Sequence, residues 1–122
     1  MDFDVHAYWD AVLRQDADAM RAYFCPDAHV NWHNTNEHFT VDEFIRANCE
    51  YPGDWAGQVQ RVVRQGTECI TVAQVYSNAL SFHVVSFIRL SGGLVASIDE
   101  YWGDDGAAPE WRRELHIGGP IE

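Results

Sequence analysis

Four consecutive β-rich runs fill the second half of the chain, and they constrain the fold more than any other feature. From Gly57 onward, the sequence consists of runs rich in β-branched and aromatic residues. Short clusters of turn residues interrupt the runs at 65–66, 77–78 and 91–93. Because short turns join antiparallel neighbours, we expect a meander of four antiparallel strands. The predicted strands lie near residues 57–64, 68–76, 80–90 and 94–102.

The first half of the chain predicts two short helices followed by a strand. Apolar residues recur at helical spacing over residues 3–13, and Asp16 can cap a second helix that Pro26 stops. Residues 28–33 then alternate between apolar and polar side chains, which is the period of a strand.

A third helix is predicted from a local capping signal. Thr40 is an N-cap residue, and Glu43 stands three positions later, where it completes a capping box. The helix therefore begins at Val41. It must end before Pro52, because proline disfavours helical backbone at the preceding residue.

Length and charge exclude several classes of function. The 122 residues, 47% of them hydrophobic, predict one globular domain over residues 1–122. Eight basic residues against nineteen acidic ones give a net charge of −11, which disfavours nucleic acid and anionic membranes as partners. No apolar run reaches the ~20 residues of a membrane-spanning helix, and no signal peptide is visible, so we expect a cytoplasmic protein. Cys25, Cys49 and Cys69 are odd in number and widely spaced, which predicts reduced thiols.

The order of these elements resembles the nuclear-transport-factor-2-like superfamily, whose members are also described as SnoaL-like or ketosteroid-isomerase-like. Four segments carry the resemblance: residues 16–20 leading to Phe24, residues 26–28, residues 30–34 and residues 98–102. It implies an α+β fold, a cystatin-like cone in which three N-terminal helices pack on a curved antiparallel sheet and enclose a pocket. The superfamily hosts isomerases, dehydratases, cyclases, hydrolases and non-catalytic modules, so the fold alone does not assign a reaction.

Strand parity then selects Glu100 as the main catalytic candidate. On the last strand, the apolar face carries Ile98, Glu100 and Trp102, which puts one carboxyl group between two apolar residues. An acid in such surroundings can exchange a proton near neutral pH. The alternative is a structural role, in which Glu100 bonds Tyr8, Trp32 or a backbone amide.

The same parity predicts the ligand-binding wall of the pocket. Trp32 and Asn34 follow from the first strand, Phe82, Val84 and Ser86 from the strand before the last, and Trp102 from the last strand. A wall of this kind suits a flat, mainly apolar or aromatic small molecule.

Tyr8 is the second catalytic candidate, and it follows from the resemblance. It occupies the position of the oxyanion-stabilising tyrosine of ketosteroid isomerases, so its hydroxyl could donate to a ligand oxygen. The isomerase base corresponds to Trp32, however, and the second oxyanion acid corresponds to Ser86. The aspartate of the polyketide cyclases corresponds to Gly103. The alternative for Tyr8 is a core aromatic residue with a satisfied hydroxyl.

We predict no metal and no cofactor. His29 and His33 would lie ~13 Å apart on one strand, which is too far to share an ion. A site that joins His33 and His38 across the following loop is the remaining metal hypothesis, but turn hydrogen bonds explain these loop residues more simply.

Three functions remain open from the sequence. The first is an isomerase, cyclase or dehydratase type of enzyme that uses Glu100 and Tyr8. The second is a non-catalytic pocket for a small hydrophobic metabolite, and the third is an assembly module. We also expect a homodimer, because Val85 and Phe87 make the outer face of the sheet apolar while the helices can cover only the inner face.

Overall fold

The computed structural model describes residues 2–121 and contains four helices and six strands within them. In chain order these are α1 (Val5–Arg14), α2 (Ala17–Arg21), β1 (Phe24–Trp32), β2 (Glu37–Thr40), α3 (Val41–Cys49), β3 (Ala56–Gln65), β4 (Glu68–Tyr76), β5 (Ser81–Ser91), β6 (Leu94–Asp104) and α4 (Glu110–Arg113). The α+β class, with three helices before the long strands, is confirmed.

Side-chain caps start the three N-terminal helices. Asp4 and Asp16 accept hydrogen bonds from backbone N–H groups at the starts of α1 and α2. At α3 both halves of the predicted capping box form: Glu43 N–H donates to Thr40 Oγ1 at 3.2 Å, and Thr40 N–H donates to Glu43 Oε1 at 2.9 Å.

Strand β2 was not predicted, and β1 begins earlier than predicted. The chain turns after His33, with Asn36 in the left-handed region at φ 57°, and returns as the four-residue strand β2. Pro26, which was expected to stop the second helix, lies inside β1. It is tolerated because β2 pairs only with residues 29–32, and because the register of β1 against β6 shifts between Phe24 and His29.

The six strands form one sheet in the order β2-β1-β6-β5-β4-β3. The predicted meander β3 to β6 is antiparallel throughout. The sheet as a whole is mixed, because β1 runs parallel to β6. That one parallel pairing brings the end of β1 beside the end of β6, with Trp32 opposite Glu100.

The core lies between the inner face of the sheet and the helices. Fully buried side chains come from both layers, among them Tyr8, Met20, Val30, Val84 and Ile98. No helix within residues 2–121 is long and apolar enough to cross a membrane.

Candidate functional site

A cavity of about 740 Å³ opens between the inner face of the sheet and helices α1 and α3. Its walls are rich in aromatic side chains, and eight such residues line it: Tyr8, Trp9, Trp32, Phe44, Tyr51, Trp55, Phe82 and Trp102. The volume falls in the range of small-molecule sites, which are typically concave and apolar with few polar groups.

The carboxyl group of Glu100 is the buried polar centre of this cavity. Glu100 is 2% exposed and still contributes to the wall. Its Oε1 accepts a hydrogen bond from Trp32 Nε1 at 2.9 Å, and its Oε2 accepts one from Ser86 Oγ at 2.6 Å. The two donors lie on the strands that flank β6. Trp32 of β1 and Ser86 of β5 are the residues paired directly with Glu100.

Burial raises the pKa of Glu100 above its ordinary value. The hydrogen bonds from Ser86 and Trp32 oppose this effect without cancelling it. Trp102 Nε1 also lies near enough to lower the pKa, but it falls outside hydrogen-bonding geometry and is buried without a partner among residues 2–121. No basic side chain contributes to the shift. Glu100 therefore keeps its proton up to a higher pH than an exposed glutamate does.

Tyr8 stands on α1 at the wall of the same cavity. It is 1% exposed and packs edge-on against Tyr23 and Phe24. Its pKa is raised well above the usual range, first by burial and then by the negative charge of Glu100. Its hydroxyl forms no hydrogen bond with another side chain or backbone group of residues 2–121, so it can serve a ligand.

The other predicted wall residues fall into two groups. Trp32, Phe82 and Trp102 line the cavity, with the Trp102 ring 6.0 Å from Trp32 and 5.9 Å from Phe82 between centroids. Val84 and Ser86 share this inner face but are fully buried and do not reach the cavity wall. Ser86 instead acts on the site through its hydrogen bond to Glu100.

Asn34 lies at the cavity mouth, where its side chain ties the β1–β2 turn to β6. Its Nδ2 donates to the backbone oxygen of Trp102 and its Oδ1 accepts from the backbone N–H of Trp102, each at 2.5 Å. The structure thus shows Asn34 positioning Trp102.

Sequence reasoning missed two further aromatic residues that line the cavity. Tyr51 and Trp55 stack there with centroids 5.1 Å apart. Gln15, just after α1, holds this segment by donating to the backbone oxygens of Asn48 and Tyr51 at 2.7 and 2.8 Å. These residues lie outside periodic segments, so no hydrophobic pattern pointed to them.

The histidine cluster lies away from the cavity, on the outer face of β1, β2 and β6. His33 Nε2 contacts Asp99 Oδ1 at 2.8 Å, and His38 Nδ1 contacts Asn31 Oδ1 at 2.6 Å. The two histidines therefore pair with different side chains. Residues 2–121 contain no group of three or more metal-ligating side chains.

Comparison with known families decides the classification. Residues 5–98 match the SnoaL-like domain. The chain belongs to the SnoaL-like domain family. Glu100 and Trp102 lie just beyond the matched segment, so the family match does not extend to the predicted acid.

Solved structures similar to this SnoaL-like protein support the same fold. A candidate ketosteroid isomerase from Kribbella flavida DSM 17836 superposes with a TM-score of 0.81 and 24% identity, over 97% of this chain and 88% of that one. An NTF-2-like protein of unknown function from Burkholderia xenovorans LB400 gives a TM-score of 0.77 and 23% identity, over 95% and 91%.

A third similar structure contains a small molecule. It is a hypothetical protein with a ketosteroid-isomerase-like fold from Catenulispora acidiphila DSM 44928, in complex with trimethylamine. The TM-score is 0.69 at 14% identity, over 80% of this chain and 82% of that one. No curated protein sequence matches this chain significantly.

Proposed function

We propose that this SnoaL-like protein is a single-domain cytoplasmic enzyme that moves a proton on a small, mainly apolar molecule, in a reaction of the isomerase, cyclase or dehydratase type. One observation carries the proposal: a buried carboxyl group with a raised pKa stands at the wall of a large aromatic cavity. Groups of this kind suit general acid–base catalysis, because their pKa lies closer to neutral pH.

The roles follow from the contacts. Glu100 is the acid or base, and the Tyr8 hydroxyl donates to a ligand oxygen on which negative charge develops. Trp32, Phe82 and Trp102 form the wall, while Ser86 and Asn34 position groups around it. Proton transfer between a carboxyl group and carbon or oxygen requires no metal or cofactor.

A direct test is carbon–hydrogen exchange on an enolisable aryl ketone. We expect the protein to accelerate deuterium uptake by 2-tetralone in D₂O, as followed by proton NMR. Glu100→Gln should abolish the acceleration, whereas Glu68→Gln, which removes an exposed carboxylate at the start of β4, should retain it. Exchange at the buffer rate with the unmodified protein, or an unchanged rate in Glu100→Gln, would contradict the proposal.

The alternative is a pocket that binds a small hydrophobic metabolite without turnover. The observation that favours it is that both oxygens of Glu100 already accept hydrogen bonds. In that case, 2-tetralone should shift the indole N–H signals of Trp32 and Trp102 without any exchange of its own protons. This pair of results separates binding from catalysis.

We further propose that two copies pair through the outer face of β3 to β6. Val85 and Phe87 are half-buried there, and Tyr101 is 46% exposed. Four strands of about ten residues span roughly 33 by 19 Å, comparable to the ~800 Å² per partner of a standard interface. Arg89 and Asp99 place both signs of charge on this face, as a self-complementary contact requires.

A further inference from the structure

Charge is distributed one-sidedly around the cavity. Glu100 lies in its wall and Asp104 at its rim, whereas no Lys, Arg or His side chain of residues 2–121 lines it. The chain as a whole carries a net charge of −11. The formal charges of this site therefore favour a cationic ligand over an anionic one.

Two neutral amide side chains of the wall, Gln15 and Asn48, also carry free acceptors. The Gln15 amide donates both of its hydrogens to backbone oxygens, and Asn48 Nδ2 donates to the backbone oxygen of Val12 at 3.0 Å. Because backbone oxygens can only accept, these contacts fix which end of each amide is nitrogen. Neither amide oxygen accepts a hydrogen bond from the described residues, and both Gln15 and Asn48 line the cavity.

The aromatic rings are arranged as the sides of a box. The Trp32 and Trp102 planes meet at 69°, and those of Phe82 and Trp102 at 86°. Trp55 continues the wall beside Phe82, with centroids 6.1 Å apart. Rings set nearly perpendicular to one another can offer more than one π face to a guest, and π faces attract alkylammonium cations.

We propose that the cavity recognises a substituted ammonium group, held between the aromatic walls and the carboxylate of Glu100. This inference rests on the proposed function, because it names the ligand class of the same site. Glu100 has no basic side chain beside it in the cavity wall, and the bound cation supplies that positive charge. It thereby stabilises the ionised carboxylate, which is the form that can act as a base.

The charge of a bound ligand also changes the pKa of Glu100. The titratable groups that share the cavity with it are Tyr8, Tyr51 and Asp104, and none of them can offer a positive charge. Since burial raises the pKa of Glu100, a bound cation must lower that pKa and release a proton wherever the free site is protonated. The affinity for a permanent cation therefore rises with pH across this range.

The test compares two ligands of nearly identical shape, (3-hydroxyphenyl)trimethylammonium and its uncharged analogue 3-tert-butylphenol. Binding is measured by quenching of tryptophan fluorescence and by the indole N–H signals of Trp32 and Trp102, at 0.15 M salt. We expect the cation to bind about tenfold more tightly or better, the range expected for a desolvated cation–π contact reinforced by a carboxylate.

Variants then locate the source of the preference. Glu100→Gln should remove most of it, and Trp55→Leu, at the cavity mouth, should weaken the cation more than the neutral analogue. Glu68→Gln removes the same charge from an exposed position and should leave the preference intact. Trp55→Leu keeps the test decisive if Glu100→Gln does not fold.

Three results would overturn the inference. If 3-tert-butylphenol binds as tightly as the cation, the site is a small-molecule pocket without a cation preference, and the proposed function stands alone. If Glu100→Gln keeps the full preference, the carboxylate does not hold the cation and the inference is wrong. If neither ligand changes the fluorescence or the indole signals, the inference fails, and the exchange of 2-tetralone decides separately whether the proposed function stands.

Discussion

Replacing Glu100 with glutamine should change how the stability of this protein depends on pH. Burial raises the folded-state pKa of Glu100 above its ordinary value of 4.5. Between pH 4.5 and the raised pKa, Glu100 holds a proton in the folded protein that it has released in the unfolded chain. Stability contributed by this group is therefore lost as the pH rises through that window, by up to about 1.4 kcal/mol per pH unit.

Glutamine keeps the shape of the side chain and does not titrate. The free energy of unfolding of Glu100→Gln, relative to the unmodified protein, should increase as the pH rises above 4.5. It should level off above the raised pKa, where Glu100 of the unmodified protein is ionised in both the folded and the unfolded state. Below pH 4.5 both states of the unmodified protein hold the proton, so the difference should be constant there.

Urea denaturation at half-unit steps from pH 4 to pH 8 measures this difference directly. The native state also contains Asp16, Asp99 and Asp105, whose pKa values are lowered, so stability should fall at acidic pH in both proteins. Only the difference between the two curves isolates Glu100. Parallel curves would refute the assignment, and a difference of opposite sign would show that the hydrogen bonds from Ser86 and Trp32 outweigh burial.

Three further outcomes are expected. Thr40→Ala should lower the free energy of unfolding by about 1 kcal/mol through loss of the cap at α3; an unchanged denaturation midpoint would show that the cap is redundant. Trp32→Phe removes one donor to Glu100 and should raise its pKa further, as measured by carbon-13 NMR of the labelled carboxyl group; a fall would contradict the hydrogen-bond argument. Phe87→Asp should yield monomers or an unstable chain by light scattering, and a monomeric unmodified protein at micromolar concentration would rule out the dimer.

The long strands and the parity of the site were predictable because their signals are local. Alternation along residues 94–102 already separates Ile98, Glu100 and Trp102 from Asp99 and Tyr101, and the structure places the first three inward. The capping box was equally local, since its two partners stand three residues apart. These local patterns therefore predicted which residues of each long strand face the core.

Features that depend on pairing between distant segments were not predictable. Strand β2 has four residues, of which only Phe39 is apolar, so it carries no alternation strong enough to detect. Parallel pairing of β1 with β6 joins residues 68 positions apart, and no turn signals it. Trp55 reaches the cavity from a stretch without regular structure. In each case the information lies in three-dimensional packing rather than in the spacing of residues.

The strand register places Glu100 in a row of paired residues that crosses the sheet. Trp32, Glu100, Ser86 and Thr71 are successive partners across β1, β6, β5 and β4, so they form a row across the inner face. Hydrogen bonds join the first three, and Trp9 Nε1 of α1 donates to Thr71 Oγ1 at 3.1 Å.

A slip of one residue in β6 would turn Glu100 outward and bring Asp99 or Tyr101 into the core. It would also leave the buried Ser86 hydroxyl and the half-buried Trp32 indole N–H without their acceptor, at a cost of about 1–3 kcal/mol for a fully buried group. The row therefore penalises the wrong register more strongly than apolar residues alone would. A buried carboxyl group that is unfavourable as an isolated charge thus helps to specify the pairing that places it in the cavity.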